Sequence, residues 1–219
     1  VQNIHLINNS ISPFTTLEVW LPSSFNIRPQ AAWMGTLGYY RNFEGFSLES
    51  ELFYKRMNHQ IDYEPHAETL LNPYLESELR IGKTNARGLE TLLKKHRGRL
   101  NGMVGYTYSR SISQFPELNN GERYPSVADR PHQINVVSTF DINRKWSVGL
   151  NWIYSSGTPY SAPTGFYYFN DQEVPVYGAK NNTRLPDYHR LDISAELKLN
   201  KNPENKYQHS LSMAIYNIY

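Results

Sequence analysis

Cysteine is missing from all 219 residues, which excludes disulfides and thiolate metal sites. An excess of charge of either sign is missing too. The formal net charge is +2, giving no electrostatic reason to expect a nucleic acid or a strongly acidic partner. Long apolar runs are absent. Hydrophobic residues make up 39% of the chain, and no stretch approaches the roughly 20 apolar residues that a membrane helix needs. Residues 1–20 show no basic start followed by an apolar core, so no secretory leader is visible. Either the chain is cytosolic or its beginning lies elsewhere. No serine sits in a G-x-S-x-G setting, which removes the clearest signature of a serine hydrolase.

What is abundant is tyrosine, with 17 residues. Its apolar ring and polar tip suit strands, binding surfaces and membrane–water interfaces. Alternation of period two is the second strong signal. In "PDYHRLDISAELKLN", Leu191, Ile193, Ala195, Leu197 and Leu199 alternate with Asp192, Ser194, Glu196 and Lys198. The same pattern recurs at 46–55, 99–110, 131–141, 146–155 and 208–217, and more weakly at 1–7, 32–41 and 84–95. Leu92, Val137 and Ile153 break the parity. None of the 13 prolines falls in the interior of these runs, Pro131 beginning one and Pro186 preceding another, as expected of strands whose N–H groups are paired. The pattern predicts about nine strands, with at most a short helix in "ETLLNPYLESELR" at 68–80.

The connections alternate between short and long. The short ones are "NFEG" at 42–45, "HRG" at 96–98, "NRK" at 143–145 and "KNPENKY" at 201–207; the long ones span roughly 8–31, 56–83, 111–130 and 156–186. In an up-and-down sheet, that order gathers the tight turns at one end and the long loops at the other. Outer-membrane barrels sort their connections this way. The expected fold is therefore all-β: an antiparallel up-and-down transmembrane β-barrel segment with short periplasmic turns and long extracellular loops. Glu49, Glu51, Glu90, Lys94, Asp192, Glu196 and Lys198 then face the lumen, and Leu48, Leu150 and Ile193 face lipid. A Lys or Arg on the lipid face at mid-depth costs roughly 2–4 kcal/mol, which explains the segregation. Nine strands do not make a closed single-chain bacterial barrel, so the chain is expected to be part of a larger one.

At the outer rim, His132 and His189 are expected to point outward and Gln133 and Arg190 inward. Asp129, Arg130, Arg190 and Asp192 either bridge the rim or line a mouth. "HQIDYEPHAE" at 59–68 offers His59, Asp62, Glu64, His66 and Glu68 as conceivable metal ligands, although polar loops produce such clusters by chance. "GKT" at 82–84 lacks the upstream glycine of a phosphate loop. Ser126 and His132 are the nearest approach to a hydrolytic pair. The long loops carry Tyr63, Tyr74, Tyr124, Tyr160, Tyr167 and Tyr168, with Arg123, Arg130 and Arg184. Aromatic faces and guanidinium groups on loops are common carriers of ligand recognition.

"PSSFNIRPQAAWMGTLGYYRNF", "ELFYKRMNHQIDY", "GLETLLKKHRGRLNGMVGYTYSRS", "PSVADRPHQINVVSTFDINRKWSVGLNWIYSSGTPYSAPTG" and "LPDYHRLDISAELKL", in that order, resemble the C-terminal barrel portion of TonB-dependent outer-membrane receptors. The resemblance implies a 22-strand barrel in the bacterial outer membrane, filled by an N-terminal plug that has no counterpart in residues 1–219. It implies active import of a scarce nutrient, such as a ferric siderophore, cobalamin or an oligosaccharide. The implied partners are outer-membrane lipid and lipopolysaccharide, TonB through the plug, and the cargo; no enzyme activity, nucleic acid or protein-bound cofactor is implied. A passive porin is the rival expectation.

Overall fold

The computed structural model describes residues 3–8, 18–64, 67, 72–200 and 207–219. A nine-stranded antiparallel sheet dominates it. Its consecutive wall strands are β3 (Ala31–Phe43), β4 (Phe46–Tyr63), β5 (Leu79–Lys95), β6 (Leu100–Gln114), β8 (His132–Asp141), β9 (Trp146–Ser155), β14 (Tyr188–Lys198) and β15 (Ser210–Ile215). Each pairs with the next in chain order, and the short β7 (Arg123–Pro125) adds to the upper part of β6. The remaining strands form small hairpins in the long connections. β1 (Ile4–Asn8) pairs with β2 (Glu18–Pro22), β11 (Pro163–Phe169) with β12 (Gln172–Tyr177), and β10 (Pro159–Tyr160) with β13 (Thr183–Arg184). The run expected at the N-terminus is thus a strand, but it belongs to a loop hairpin and not to the wall. The short helix is Leu75–Glu78.

Turn chemistry fixes the short connections. Gly45 and Gly98 adopt φ of +83° and +93°, a region that favours glycine. Asn143 Oδ1 accepts from the N–H groups of Lys145 and Trp146 at 2.8 and 2.9 Å. Most of the turn after β14, residues 201–206, lies outside the described residues.

The register shows how the two faces separate. One row runs Leu48, Leu93, Val104, Val136, Trp152 and Leu191. The next position on each strand belongs to the opposite face, where Glu51 stands opposite Glu90 and Asp192 opposite Asn151. Leu150, Ile193 and Leu52 are 36%, 36% and 53% exposed, so the greasy face packs against no other part of the described chain. The buried apolar side chains among the described residues are Ile27, Tyr63, Leu79, Phe115, Leu118 and Tyr124, all near the long-loop end. A soluble sandwich would bury the alternating leucines. Here they form the outer surface, as a lipid-facing wall requires.

Aromatic rings mark the upper edge of that surface. Tyr106 stacks on His132 with centroids 6.2 Å apart, Trp152 on Tyr154 at 6.3 Å, and His189 contacts Tyr219 at 5.1 Å. His132 and His189 lie on the outward parity, and Gln133 and Arg190 on the inward one. Such a ring of amphipathic side chains suits the membrane–water interface.

Candidate functional site at the outer mouth

β4 and β5 continue beyond the aromatic ring as a protruding hairpin, and a β-bulge re-aims its tip. His59 takes φ +55°, and the register shifts between Asn58 and Gln60. Below the bulge, even-numbered residues of β4 face outward. Above it, Gln60 pairs with Gly82 and Asp62 with Arg80, so Asp62 joins the inward face. Such re-aiming is a recurrent use of bulges. The His59 ring fixes the kink through a 2.9 Å contact between Nδ1 and the Pro29 carbonyl oxygen.

Asp62 becomes the hub of the mouth. Lys180 Nζ stands 2.5 Å from Oδ1, and Tyr124 donates its hydroxyl to Oδ2 at 2.8 Å. Lys180 also donates to the Tyr63 carbonyl and lies 5.3 and 5.9 Å from the Tyr63 and Tyr124 ring centroids. It is 6% exposed. Burial pulls its ammonium pKa down, opposed by the Asp62 charge. Burial, followed by the same carboxylate, pushes the Tyr124 hydroxyl up, so it stays a neutral donor. Neighbouring loop groups are pinned as well: Lys180 N–H donates to Asn119 Oδ1 at 3.1 Å, and Asn181 Nδ2 donates to the Pro125 carbonyl at 2.7 Å.

Asp129 is a second hub, fully buried. It accepts the Ser111 N–H at 2.6 Å, pairs with the Arg184 guanidinium, and lies 3.4 Å from Arg110 Nε. Arg184 also donates to the carbonyls of Asp129 and Gly157 at 2.7 and 3.1 Å. Arg130 Nε donates to Thr158 Oγ1 at 3.2 Å. Lower on the rim, Arg190 bridges Asp192 at 3.0 Å, and Asp192 also accepts the Asn217 N–H at 3.0 Å. These charges therefore tie loops and strands together.

The joined loops frame an open cleft of about 650 Å³ lined by Glu64, Glu117, Asn119, Glu122, Tyr167 and Lys180. Tyr167 is 52% exposed. Tyr74 and Tyr168 are also exposed, as is Arg123 on β7. Tyr160 pairs with Thr183. Tyr63 and Tyr124 are buried, and Arg130 and Arg184 make the scaffold bonds described above. Glu117, Asn119 and Glu122 had no part in the sequence expectation. Their signal is the acidic, turn-rich "PELNNGERYP" at 116–125.

The other motifs have structural settings. Gly82, Lys83 and Thr84 lie within β5. Of the conceivable metal ligands, His66 and Glu68 lie outside the described residues; His59 is held by Pro29 and Asp62 by Lys180. Among the described residues no group of three or more His, Cys, Asp or Glu is placed to hold a metal ion. Ser126 Oγ accepts the Ala128 N–H, and His132 Nδ1 meets the Tyr106 hydroxyl.

A wall with an oily outer face, polar inner face, tight turns at one end and interlocked loops at the other agrees with one further comparison. The family model described as "TonB dependent receptor-like, beta-barrel" matches residues 18–218. The chain belongs to this family. No curated protein and no solved structure matches it. TonB-dependent receptors are outer-membrane receptors and transporters of bacteria and not a class of enzymes. In this family's terms, strands β3, β4, β5, β6, β8, β9, β14 and β15 are barrel wall, and the connections after β4, β6 and β9 are the outer loops.

Proposed function

We propose that the chain forms part of the wall and outer mouth of an active importer, in which energy relayed by TonB acts on a plug encoded outside these 219 residues. The observation that carries this reading is the mouth itself. Its loops are cross-tied through Asp62–Lys180–Tyr124 and Asp129–Arg184 and leave a defined cleft. A general diffusion pore has no need of a shaped pocket above its lumen, whereas a receptor that captures scarce cargo does. Tyr167, with its exposed ring in the cleft, is the proposed contact for cargo, flanked by Glu64 and Glu122 as acceptors for hydroxyl or amine groups. Tyr74, Arg123 and Tyr168 are proposed as outlying contacts; Tyr63, Tyr124, Arg130 and Arg184 hold the frame. Tyr160 is proposed to shape the neighbouring loop through its strand pairing.

Conductance of the complete receptor in a planar bilayer tests the reading. A closed resting state, with nutrient uptake in cells that fails when TonB is removed, is expected. A large, constantly open pore and TonB-independent uptake would establish the porin instead.

A further inference from the structure

The cleft at the mouth is lopsided in charge. Glu64, Glu117 and Glu122 all line it, and all three are exposed. Among the described residues, Lys180 is the only cation on its lining. That ammonium is buried against Asp62 and the Tyr63 carbonyl, so it serves the frame and not the cavity. Glu117 has its own partner in Arg80, at 3.1 Å. Among the described residues, the side chains of Glu64 and Glu122 have neither an ion pair nor a hydrogen bond. Unpaired like charges around one cavity repel each other, and a cationic guest relieves that repulsion.

An aromatic ring points to the same guest independently. Tyr167 lines the cleft from the β11–β12 hairpin and is 52% exposed. The face of such a ring is electronegative and attracts ammonium and guanidinium groups. A bare metal ion needs several oxygen or imidazole donors converging on one point, and among the described residues no three are so placed. The cavity, about 650 Å³, has the size of small-molecule sites.

The surrounding field has the same sign. Among the described residues, the connections after β4, β6 and β9 carry nine acidic side chains against four basic ones. Two of those four, Lys180 and Arg184, are held in ion pairs. A mouth of this sign draws cations in and turns anions away.

We propose that the cargo taken by this cleft is a small organic cation, with ammonium or guanidinium groups on Glu64 and Glu122 and over the Tyr167 ring. The inference rests on the cleft being the cargo site, and it sets polyanionic cargo aside.

Calorimetric titration of the full-length receptor in detergent tests it, in mildly acidic buffer that keeps sugar amines charged. The probes are of similar size: trilysine and a glucosamine trimer as cations, the N-acetylated trimer as the neutral molecule, and trigalacturonate as the anion. At least one cation is expected to bind about tenfold more tightly than the neutral trimer, and the anion not at all. The preferred cation tells a peptide from an amino sugar. Molar salt is expected to weaken the cations alone. The double variant Glu64→Gln, Glu122→Gln is expected to lose about tenfold for the cations and nothing for the neutral trimer. Tyr167→Leu is expected to lose about threefold for the cations. The control Glu76→Gln, Glu78→Gln removes the same charge outside the cleft and is expected to lose nothing. Heat-modifiable gel mobility reports folding, and Glu122→Gln alone serves if the double variant does not fold. Equal affinity for neutral and cationic probes, binding of the anion, binding of neither cation, or an equal loss in the control would each overturn the proposal. A receptor that is closed at rest and TonB-dependent but shows no charge preference overturns this inference alone. A constantly open pore that keeps the preference overturns the importer reading alone.

Discussion

Lys180 Nζ lies 2.5 Å from Asp62 Oδ1, across a separation of 118 residues, and both side chains are largely buried. The pair links the loop after β9 to the tip of the β4–β5 hairpin, so the long connections form one assembly. Removing one partner leaves an uncompensated charge in a low-dielectric setting. Asp62→Asn is expected to destabilise the loop assembly by about 3–5 kcal/mol, read as faster hydrogen exchange at residues 116–125 and 178–184 with the wall amides unchanged. The paired change Asp62→Leu, Lys180→Met is expected to recover much of that loss. Unchanged exchange in the single variant would show that the ion pair does not hold the loops.

The bulge at His59 absorbs one extra residue and so keeps Asp62 inward. Glycine adopts the +55° φ freely, whereas a β-branched residue there is strained by about 1–3 kcal/mol. His59→Val is therefore expected to loosen the hairpin tip and His59→Gly to be much milder. Deleting His59 removes the extra residue and leaves Asn58, Gln60, Ile61 and Asp62 opposite Lys83, Gly82, Ile81 and Arg80. Asp62 is therefore expected to stay inward, and loop hydrogen exchange to remain far closer to wild type than in Asp62→Asn.

Gly82 provides the flat spot on which Phe115 rests. A Cβ added there would lie 2.4 Å from the Phe115 ring and 2.6 Å from the Gln114 carbonyl oxygen. Gly82→Ala is expected to cost about 1–3 kcal/mol through overpacking, and Phe115→Ala about 3–5 kcal/mol through the cavity left behind. Denaturant unfolding in detergent, followed by tryptophan fluorescence, measures both.

Asp187 gives the loop after β9 a pH dependence. Its carboxylate accepts the Tyr154 hydroxyl at 2.6 Å and the Gly157 N–H at 3.0 Å. These bonds, in that order, and then the charges of His132 and Arg184, lower its pKa from 3.8. A carboxyl whose folded pKa is depressed stabilises above its unfolded value and loses that contribution as pH falls through the folded one. The loop is expected to hold at neutral pH and to loosen progressively below pH 3.8. In Asp187→Asn this acid-dependent step is expected to vanish, with the loop already looser at pH 7. Proteolysis of residues 156–186 across the pH range reads both outcomes.

Much of the wall was legible because lipid on one side and water on the other impose a strict period of two. Leu191, Ile193, Ala195 and Leu197 of β14 show it directly, and sorting short from long connections set the direction of the strands. Above the membrane that constraint ends. β4 runs to Tyr63 and β5 starts at Leu79, so much of the connection expected over 56–83 is strand. Polar groups border both faces of this hairpin, and the alternation that announced the wall is lost there. The bulge at His59 reverses parity without any glycine or proline to mark it. The cleft was harder still. Tyr167 drew notice as an aromatic residue in a loop, but its neighbours come from other connections, Glu64 from the one after β4 and Glu117 and Glu122 from the one after β6, and no local pattern brings them together.

Two adjacent residues on β8 separate the two faces most directly. Val136 pairs with Val104 and Trp152 on the outward face, and Asn135 lies on the inward one. Unfolding free energies in lipid bilayers are to be compared for Val136→Arg and Asn135→Arg. The expected result is a cost of about 2–4 kcal/mol at position 136, where the cation meets acyl chains, and little change at 135. Equal costs at the two positions, or a larger one at 135, would contradict a wall whose oily side faces the membrane.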